Sequence, residues 1–284
     1  MYARTALRDL AEVTASQWGM VTSAQAVAHG VSHLTLSRLT GSGDFIRVAH
    51  GVYKNACAPS DEHEALRAAW LAIEPDRFAW ERTAERPGFA VVSGESAAQL
   101  HGIGNLRAMR SEFTTPVRKQ TQRLDVRYRT RTLTSDDVTI RAGLPVTTVE
   151  RTIADLVEAR VQLGHIGDAL RDAARQSRLD TDRLIELLAP LAERNGHPKR
   201  DGQALLAQLR EAAGIDIASL VRRIAAVPNL SALVAGRYLA SLELPDDLTL
   251  GAVRSLLESA ASSAARDATA DHLTEVLNIT EWAS

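Results

Sequence analysis

The chain has a single cysteine, only three lysines and no long apolar run, and each shortage excludes a class of protein. Cys57 alone cannot build an internal disulfide framework or a multi-cysteine zinc or iron–sulfur site. Beyond the first sixty residues the only lysines are Lys119 and Lys199, so the lysine-and-carboxylate cluster of a magnesium nuclease is not visible. No segment approaches the roughly 18–20 apolar residues that cross a bilayer, and the first residues lack a signal-peptide core. We therefore expect a soluble, cytoplasmic protein without a membrane partner.

The rest of the composition is that of an ordinary globular protein. Apolar residues make up 45% and charged residues 24% of the 284 residues, a length that accommodates two domains. The net charge of −2 hides an uneven distribution. Residues 101–131 carry 8 basic and 2 acidic side chains, whereas residues 211–284 carry 5 basic and 10 acidic ones. The chain thus has a basic band and an acidic tail.

Residues 1–58 predict three helices. In the first, Leu7, Leu10, Ala11, Thr14 and Trp18 recur at helical spacing. A short second helix over residues 22–29 has a capping residue at its start, and Gly30 is suited to end it in a left-handed conformation. The third helix begins after the N-cap Ser32 and stops at the glycine-containing run at residues 41–43.

Two short β-prone runs follow, at residues 45–48 and 52–54, around a turn that contains Gly51. Helix, helix, tight turn, helix and hairpin is the order of a winged helix-turn-helix, in which the third helix enters the major groove of DNA. At 100° per residue, Leu36 and Leu39 face the core, while Leu34 and Arg38 lie on the outer side.

This geometry predicts a surface that contacts double-stranded operator DNA. Arginine can read guanine, an apolar side chain can touch a thymine methyl group, and basic residues of the hairpin can meet phosphates. The predicted contact residues are Thr22, Ser23, Ser32, His33, Leu34, Ser37, Arg38, Arg47, His50 and Lys54. The alternative is a helical packing unit with a polar surface, since residues 1–60 carry only 5 basic against 3 acidic side chains.

The rest of the chain changes character twice. Residues 59–86 predict a connecting helix that Pro75 ends. Residues 87–160 predict a mixed unit: strands near residues 89–92, 112–115, 124–132 and 138–141, a helix from Gly94 to His101, and a capping box at Thr147-x-x-Glu150 before another helix. Residues 161–284 predict a helical tail. The expected fold class is α+β: a winged helix-turn-helix domain at 1–58, then a mixed α/β domain with a helical C-terminal part at 59–284.

The basic band contains a strand in which arginines alternate with other residues. Because side chains alternate across a strand, Arg127, Arg129 and Arg131 share one face. They form a candidate DNA or partner surface together with Arg118, Lys119 and Arg123. The opposing interpretation is an edge strand that its charges protect from aggregation. The sequence leaves the two open.

Candidates for chemistry are weak. Gly94-Glu95-Ser96 between a strand and a helix lacks the final glycine of a nucleophile elbow, because Ala98 stands there. His29 and His33 have a spacing used by metal ligands, but Gly30 breaks the helix between them. We expect no catalytic residue, no metal and no cofactor, and hence not an enzyme.

Two sets of residues carry a family resemblance. The first comprises Val21-Thr22-Ser23-Ala24-Gln25-Ala26, Gly30-Val31-Ser32 and Arg47-Val48-x-x-Gly51-Val52-Tyr53. The second comprises Val92-Ser93-x-Glu95-Ser96-Ala97-Ala98, Leu100-His101-Gly102, Asp136-Asp137-Val138, Gly143-Leu144-Pro145-Val146-Thr147-Thr148, Glu150-Arg151-Thr152 and Ala154-Asp155-Leu156. In this order they resemble the AbiEi family, the antitoxins of type IV toxin–antitoxin systems, over about residues 1–160.

The resemblance implies a DNA-binding antitoxin. Such a protein represses its own operon and neutralises a co-encoded nucleotidyltransferase-like toxin, without a stable complex between the two being obligatory. The alternative hypothesis is a stand-alone winged-helix transcription regulator without a toxin. A third and less favoured hypothesis is a nuclease with an antitoxin-like N-terminal domain.

Overall fold

The computed structural model describes residues 3–176, 179–216 and 219, and it divides into two compact units, Met1–Ala159 and Arg160–Ser284. The predicted α+β class is confirmed. The predicted helical tail beyond residue 216 falls, apart from residue 219, outside the described residues.

The first unit opens with the winged helix-turn-helix. Its elements are α1 (Ala3–Asp9), α2 (Ala11–Ser16), β1 (Met20–Thr22), α3 (Ser23–Ala28), α4 (His33–Gly41), β2 (Phe45–Ala49) and β3 (Val52–Asn55). The three strands form an antiparallel sheet in the order β1-β3-β2. Helix α4 packs its buried residues Leu36 and Leu39 into a core with Leu10, Val21 and Phe45.

The beginning of the chain differs from the prediction in two respects. The first helix is divided into α1 and α2 and ends at Ser16, so Trp18 lies outside it with a positive φ of 58°. Trp18 instead stacks edge-on against Trp70, with the ring centroids 6.2 Å apart. Strand β1, too short to show an alternating pattern, was not predicted.

A five-stranded sheet follows in the same unit. After α5 (Glu64–Leu71) and α6 (Ala79–Ala84) come β4 (Val91–Val92), α7 (Gly94–His101), β5 (Ser111–Thr115), β6 (Val126–Thr130), β7 (Val138–Arg141), β8 (Leu144–Thr147) and α8 (Val149–Glu158). The strand order is β6-β5-β4-β8-β7, in which the pairs β5–β6 and β4–β8 are parallel and the others antiparallel.

In this sheet one strand was missed, and one prediction needs correction. Strand β8 was not predicted, because Pro145 interrupts the β-prone pattern. Helix α8 is capped by Thr148, whose side chain accepts the backbone N–H of Arg151, and not by Thr147. The Thr147 hydroxyl bonds the Thr152 hydroxyl instead, at 2.8 Å.

The winged helix and the five-stranded sheet share one hydrophobic core. Met20 of β1 and Val52 of β3 belong to the same buried cluster as Trp70, Val92 and Phe113. The Trp70 indole N–H is satisfied by the carbonyl oxygen of Ala90 at 2.7 Å. Because one cluster spans both sheets, the winged helix packs directly against the mixed α/β part and is not a separate domain joined to it only by a linker.

The described part of the second unit is helical. It comprises α9 (Leu163–Arg175), α10 (Thr181–Leu188) and α11 (Gly202–Ala213), with short 3₁₀ turns at Ala189–Leu191 and Glu193–Asn195. Each helix buries one apolar face. Gly167 allows close approach of α9 and α11, since a Cβ there would lie 2.8 Å from the Ala212 backbone.

Candidate nucleic-acid interface

Helix α4 is held in place by local capping. The Ser32 hydroxyl accepts the backbone N–H of Thr35 at 3.2 Å, as predicted from its N-cap position. The preceding helix α3 begins with a capping box between Thr22 and Gln25. Gly30 takes the predicted left-handed conformation, with φ of 78°, so the chain reverses between α3 and α4.

The outer face of α4 is exposed to solvent. His33, Leu34, Ser37 and Arg38 are all exposed, and Leu34 retains 62% of its accessible surface. No hydrogen bond or ion pair within the described residues involves the Arg38 guanidinium. The face thus offers an unpaired cation, a hydroxyl, an imidazole and an apolar side chain, which are the groups that read base edges.

The hairpin β2–β3 presents two further candidates. Arg47 and His50 are both exposed, and the Arg47 Nη2 atom lies 3.1 Å from Nδ1 of His50. The strands slip in register between Arg47 and Ala49, which places the turn at His50 and Gly51. Val48 and Ala49 of the same hairpin pack on the shared core, so only part of the hairpin faces solvent.

Lys54 is not available to DNA, contrary to its prediction as a phosphate contact. Its side chain is buried, and its Nζ donates to Glu64 Oε2 and to the Ser60 hydroxyl, both at 2.6 Å. The bond from Lys54 holds the pKa of the Glu64 carboxyl below its ordinary value. Helix α5 covers this side of the hairpin, which the sequence of residues 1–58 alone does not reveal.

The remaining predicted contacts differ in exposure. Thr22 is buried and also donates to the Pro75 carbonyl oxygen, so it positions α3 and is closed to a ligand. Ser23 is half-buried, and its backbone N–H donates to the Gly51 carbonyl oxygen at 2.8 Å, which ties the wing to α3. Ser32 is exposed beside the outer face of α4.

Residues 75–79, which follow α5, help to hold α3 in place. No sequence pattern predicted this contact. Gln25 Nε2 donates to the Arg77 carbonyl oxygen at 2.9 Å, and Gln17 Oε1 accepts the Ala79 N–H at 3.2 Å. The two buried glutamine amides therefore bind Arg77 to α3 and Ala79 to the segment between α2 and β1. Glutamine has no distinctive spacing, so only the fold reveals this contact.

The basic band is largely paired with acidic side chains. Lys119 contacts Glu74, and Arg123 contacts Asp125. Arg127 reaches Glu112 at 3.2 Å. Of the six band residues named from the sequence, Arg118 alone has no ion pair within the described part of the chain.

Arg129 and Arg131 point toward helix α8. Each contacts Asp155 and Glu158, and the Arg151 guanidinium lies 2.7 Å from the same Asp155 oxygen. Asp155 is only 1% exposed. The predicted alternation along β6 is thus present, since Val126 is buried while Arg127 is exposed, but most of the arginine face is engaged in binding α8.

The residues considered for catalysis have structural roles in the described chain. The Ser96 hydroxyl donates to the Arg110 carbonyl oxygen and accepts the Glu112 N–H, both at 3.0 Å. The Glu112 carboxylate accepts the backbone N–H of Glu95 at the start of α7. Among the described residues, no cluster of three metal-ligating side chains occurs, and no helix is long and apolar enough to span a membrane.

Comparison with known proteins adds a family assignment. Residues 8–56 match the model described as a transcriptional regulator, AbiEi antitoxin, and residues 90–206 match the AbiEi antitoxin C-terminal domain. No curated protein matches the chain. A crystal structure of the RV2827C protein from Mycobacterium tuberculosis is similar over 72% of this chain and 81% of that one, with 18% identity and a TM-score of 0.44.

The two family models describe regulatory proteins, and together they cover more than half of the chain in the order that the sequence resemblance predicted. The chain therefore belongs to the AbiEi antitoxin family and is an antitoxin with a regulatory role.

Proposed function

We propose that the winged helix binds double-stranded operator DNA upstream of its own gene and thereby represses its own operon. The observation that carries the proposal is the exposed outer face of α4, with Arg38 unpaired among the described residues and Leu34 largely open to solvent. The match of residues 8–56 to a transcriptional-regulator model supports it.

Each residue of the face has a role in this proposal. Arg38 donates two hydrogen bonds to a guanine, and Leu34 touches a thymine methyl group. His33 and Ser37 reach base edges or phosphate oxygens. Arg47 and His50 on the hairpin contact phosphates beside the groove, which orients the helix without reading sequence. Lys54 and Thr22 have no place in the interface, since both are buried.

A fluorescence-anisotropy titration of the upstream DNA fragment tests this. Arg38→Ala should weaken binding by roughly 1–3 kcal/mol if Arg38 reads a base, and it should relax the preference for one base pair. Arg8→Ala is the matched control, because Arg8 is an exposed arginine on α1 of the same domain. Equal losses in the two variants would mean a general charge effect, and an unchanged Arg38→Ala would remove α4 from the interface.

We further propose that the part beyond the winged helix, residues 59–284, neutralises a co-encoded nucleotidyltransferase-like toxin. The match of residues 90–206 to the antitoxin C-terminal domain supports this assignment. Co-expression with the neighbouring gene in a growth assay tests it. If the full chain fails to restore growth, the protein acts as a stand-alone transcription regulator instead.

A further inference from the structure

Strand β6 forms an outer edge of the five-stranded sheet. The strand order β6-β5-β4-β8-β7 gives β6 one neighbour, the parallel strand β5. An edge strand presents one row of backbone N–H and C=O groups to its surroundings, and proteins commonly block such a row.

The flanking hydrogen bonds show which backbone groups face outward. The Ser111 N–H donates to the Asp125 carbonyl oxygen, and the Arg131 N–H donates to the Thr115 carbonyl oxygen. With the register Ser111↔Val126, the odd-numbered residues of β6 bond β5. The N–H and C=O groups of Val126, Tyr128 and Thr130 therefore point away from the sheet, and no hydrogen bond from the described residues reaches them.

A cleft runs beside this edge. It has a volume of about 620 Å³ and lies between the loop at residues 119–122 and the strand residues Val126, Arg127 and Tyr128. The loop wall consists of Lys119, Gln120, Thr121 and Gln122, of which Lys119 is paired with Glu74 and the Thr121 hydroxyl accepts the Arg123 N–H. Amide and hydroxyl side chains can bond the backbone of an extended chain, so both walls suit a peptide.

The positive charge along β6 indicates which kind of strand can bind at this edge. Arg127, which is 57% exposed on its side chain, precedes Arg129 and Arg131 on one face. A second copy of this strand would bring like charges opposite each other, which is destabilising. A strand with acidic residues at alternate positions would instead lie beside the arginines. Three carboxylates, those of Glu112, Asp155 and Glu158, already lie on this face. They contact four guanidiniums, because Arg151 also pairs with Asp155, so the cluster keeps one excess positive charge.

We propose that the β6 edge and its cleft bind an extended acidic segment of a protein partner by strand addition. The partner's backbone pairs with the outward groups of Val126, Tyr128 and Thr130. Its alternate carboxylates lie on the side of Arg127, the most exposed arginine of this face, whereas Arg129 and Arg131 remain paired with α8. This mode of recognition draws affinity from main-chain hydrogen bonds and specificity from alternate side chains. The proposal does not depend on DNA binding by the winged helix.

Synthetic peptides added to the full-length protein test the charge requirement. The probe is a fluorescent peptide in which glutamate alternates with valine. Its length of about seven residues is typical of a β-strand. It should bind saturably, and a peptide with lysine in place of glutamate should bind at least about tenfold more weakly. Equal binding of the two peptides, or no binding of the glutamate peptide, would overturn the proposal.

Backbone changes test the strand addition itself. Thr130→Pro removes one outward N–H without touching the β5–β6 hydrogen bonds, and Thr130→Val is the matched control. We expect the proline variant to bind the glutamate peptide about tenfold more weakly than the valine variant, the effect of one lost bond plus ring crowding. Far-UV circular dichroism of both variants checks that they fold.

A second test leaves the protein unchanged. N-methyl groups on the alternate peptide residues that face β6 should abolish binding, whereas methylation of the other alternate set should not. If neither or both methylated peptides bind, strand addition is excluded. If a random DNA duplex displaces the glutamate peptide from the wild type but not from an Arg127→Gln variant, the surface serves nucleic acid and the proposal fails.

Discussion

Substitution of Met20 should destabilise both sheets of the first unit together. Met20 lies on β1 of the winged helix and is 1% exposed in the cluster that contains Trp70, Val92 and Phe113. Truncation of a fully buried methionine to alanine removes transfer free energy and leaves a cavity, at a cost of about 2–5 kcal/mol. Because the cluster belongs to both sheets, that loss should not stop at the boundary of the winged helix.

Native-state hydrogen exchange measured by mass spectrometry reports the two sheets separately. In Met20→Ala, peptides covering β3 and peptides covering β5 should lose protection by the same free energy. Val27→Ala is the control, since Val27 is an exposed residue of the same domain, and it should change protection by less than about 0.5 kcal/mol.

A loss of protection confined to one sheet would contradict this coupling. If Met20→Ala lowers protection in β3 while β5 keeps its wild-type values, the winged helix opens independently and the shared core does not couple the two sheets. A coupled result has a practical consequence: deletion of residues 1–58 would expose the cluster around Trp70, so point substitutions separate the two proposed activities more cleanly than truncation.

Two further predictions concern the ion pairs. Lys54 lowers the pKa of Glu64, so this carboxylate stabilises the fold above its ordinary pKa of 4.5 and that stabilisation is lost as the pH falls through the lower folded value. Urea unfolding from about pH 6 to pH 3 should therefore show a steeper acid loss for the wild type than for Glu64→Gln, and parallel curves would contradict the assignment. Arg129→Gln combined with Arg131→Gln should cost about 1–3 kcal/mol of stability, because the buried Asp155 loses two partners that are themselves partly exposed. The same variant should bind operator DNA like the wild type in an anisotropy titration, whereas a loss of affinity in the folded variant would restore the strand to the DNA surface.

Features that depend on neighbouring residues were predictable from the sequence. The N-cap of α4 at Ser32 and the left-handed Gly30 follow from backbone chemistry within four residues of each site. The outer position of Arg38 follows from the 100° rotation per residue, which needs no knowledge of the rest of the fold. These features fix the candidate interface.

Features that depend on distant residues were not predictable. Its position on the hairpin predicts that Lys54 is exposed. In the fold, α5 places Glu64 against Lys54 and buries it. The arginines of β6 alternate as expected, yet their partners Asp155 and Glu158 lie more than twenty residues further along the chain. Pairing between such positions is set by the tertiary fold, and a charge pattern alone does not distinguish a ligand surface from an internal clamp.

A cell-based measurement on the Arg38→Ala variant separates operator recognition by α4 from neutralisation of the toxin. The variant and the toxin gene are expressed from independent inducible promoters, beside a reporter driven by the natural upstream region. We expect the reporter to be derepressed while growth in the presence of the toxin is still restored. A variant that is folded and abundant but still represses the reporter would contradict DNA recognition by α4, and one that loses growth rescue would contradict the assignment of the two activities to different surfaces.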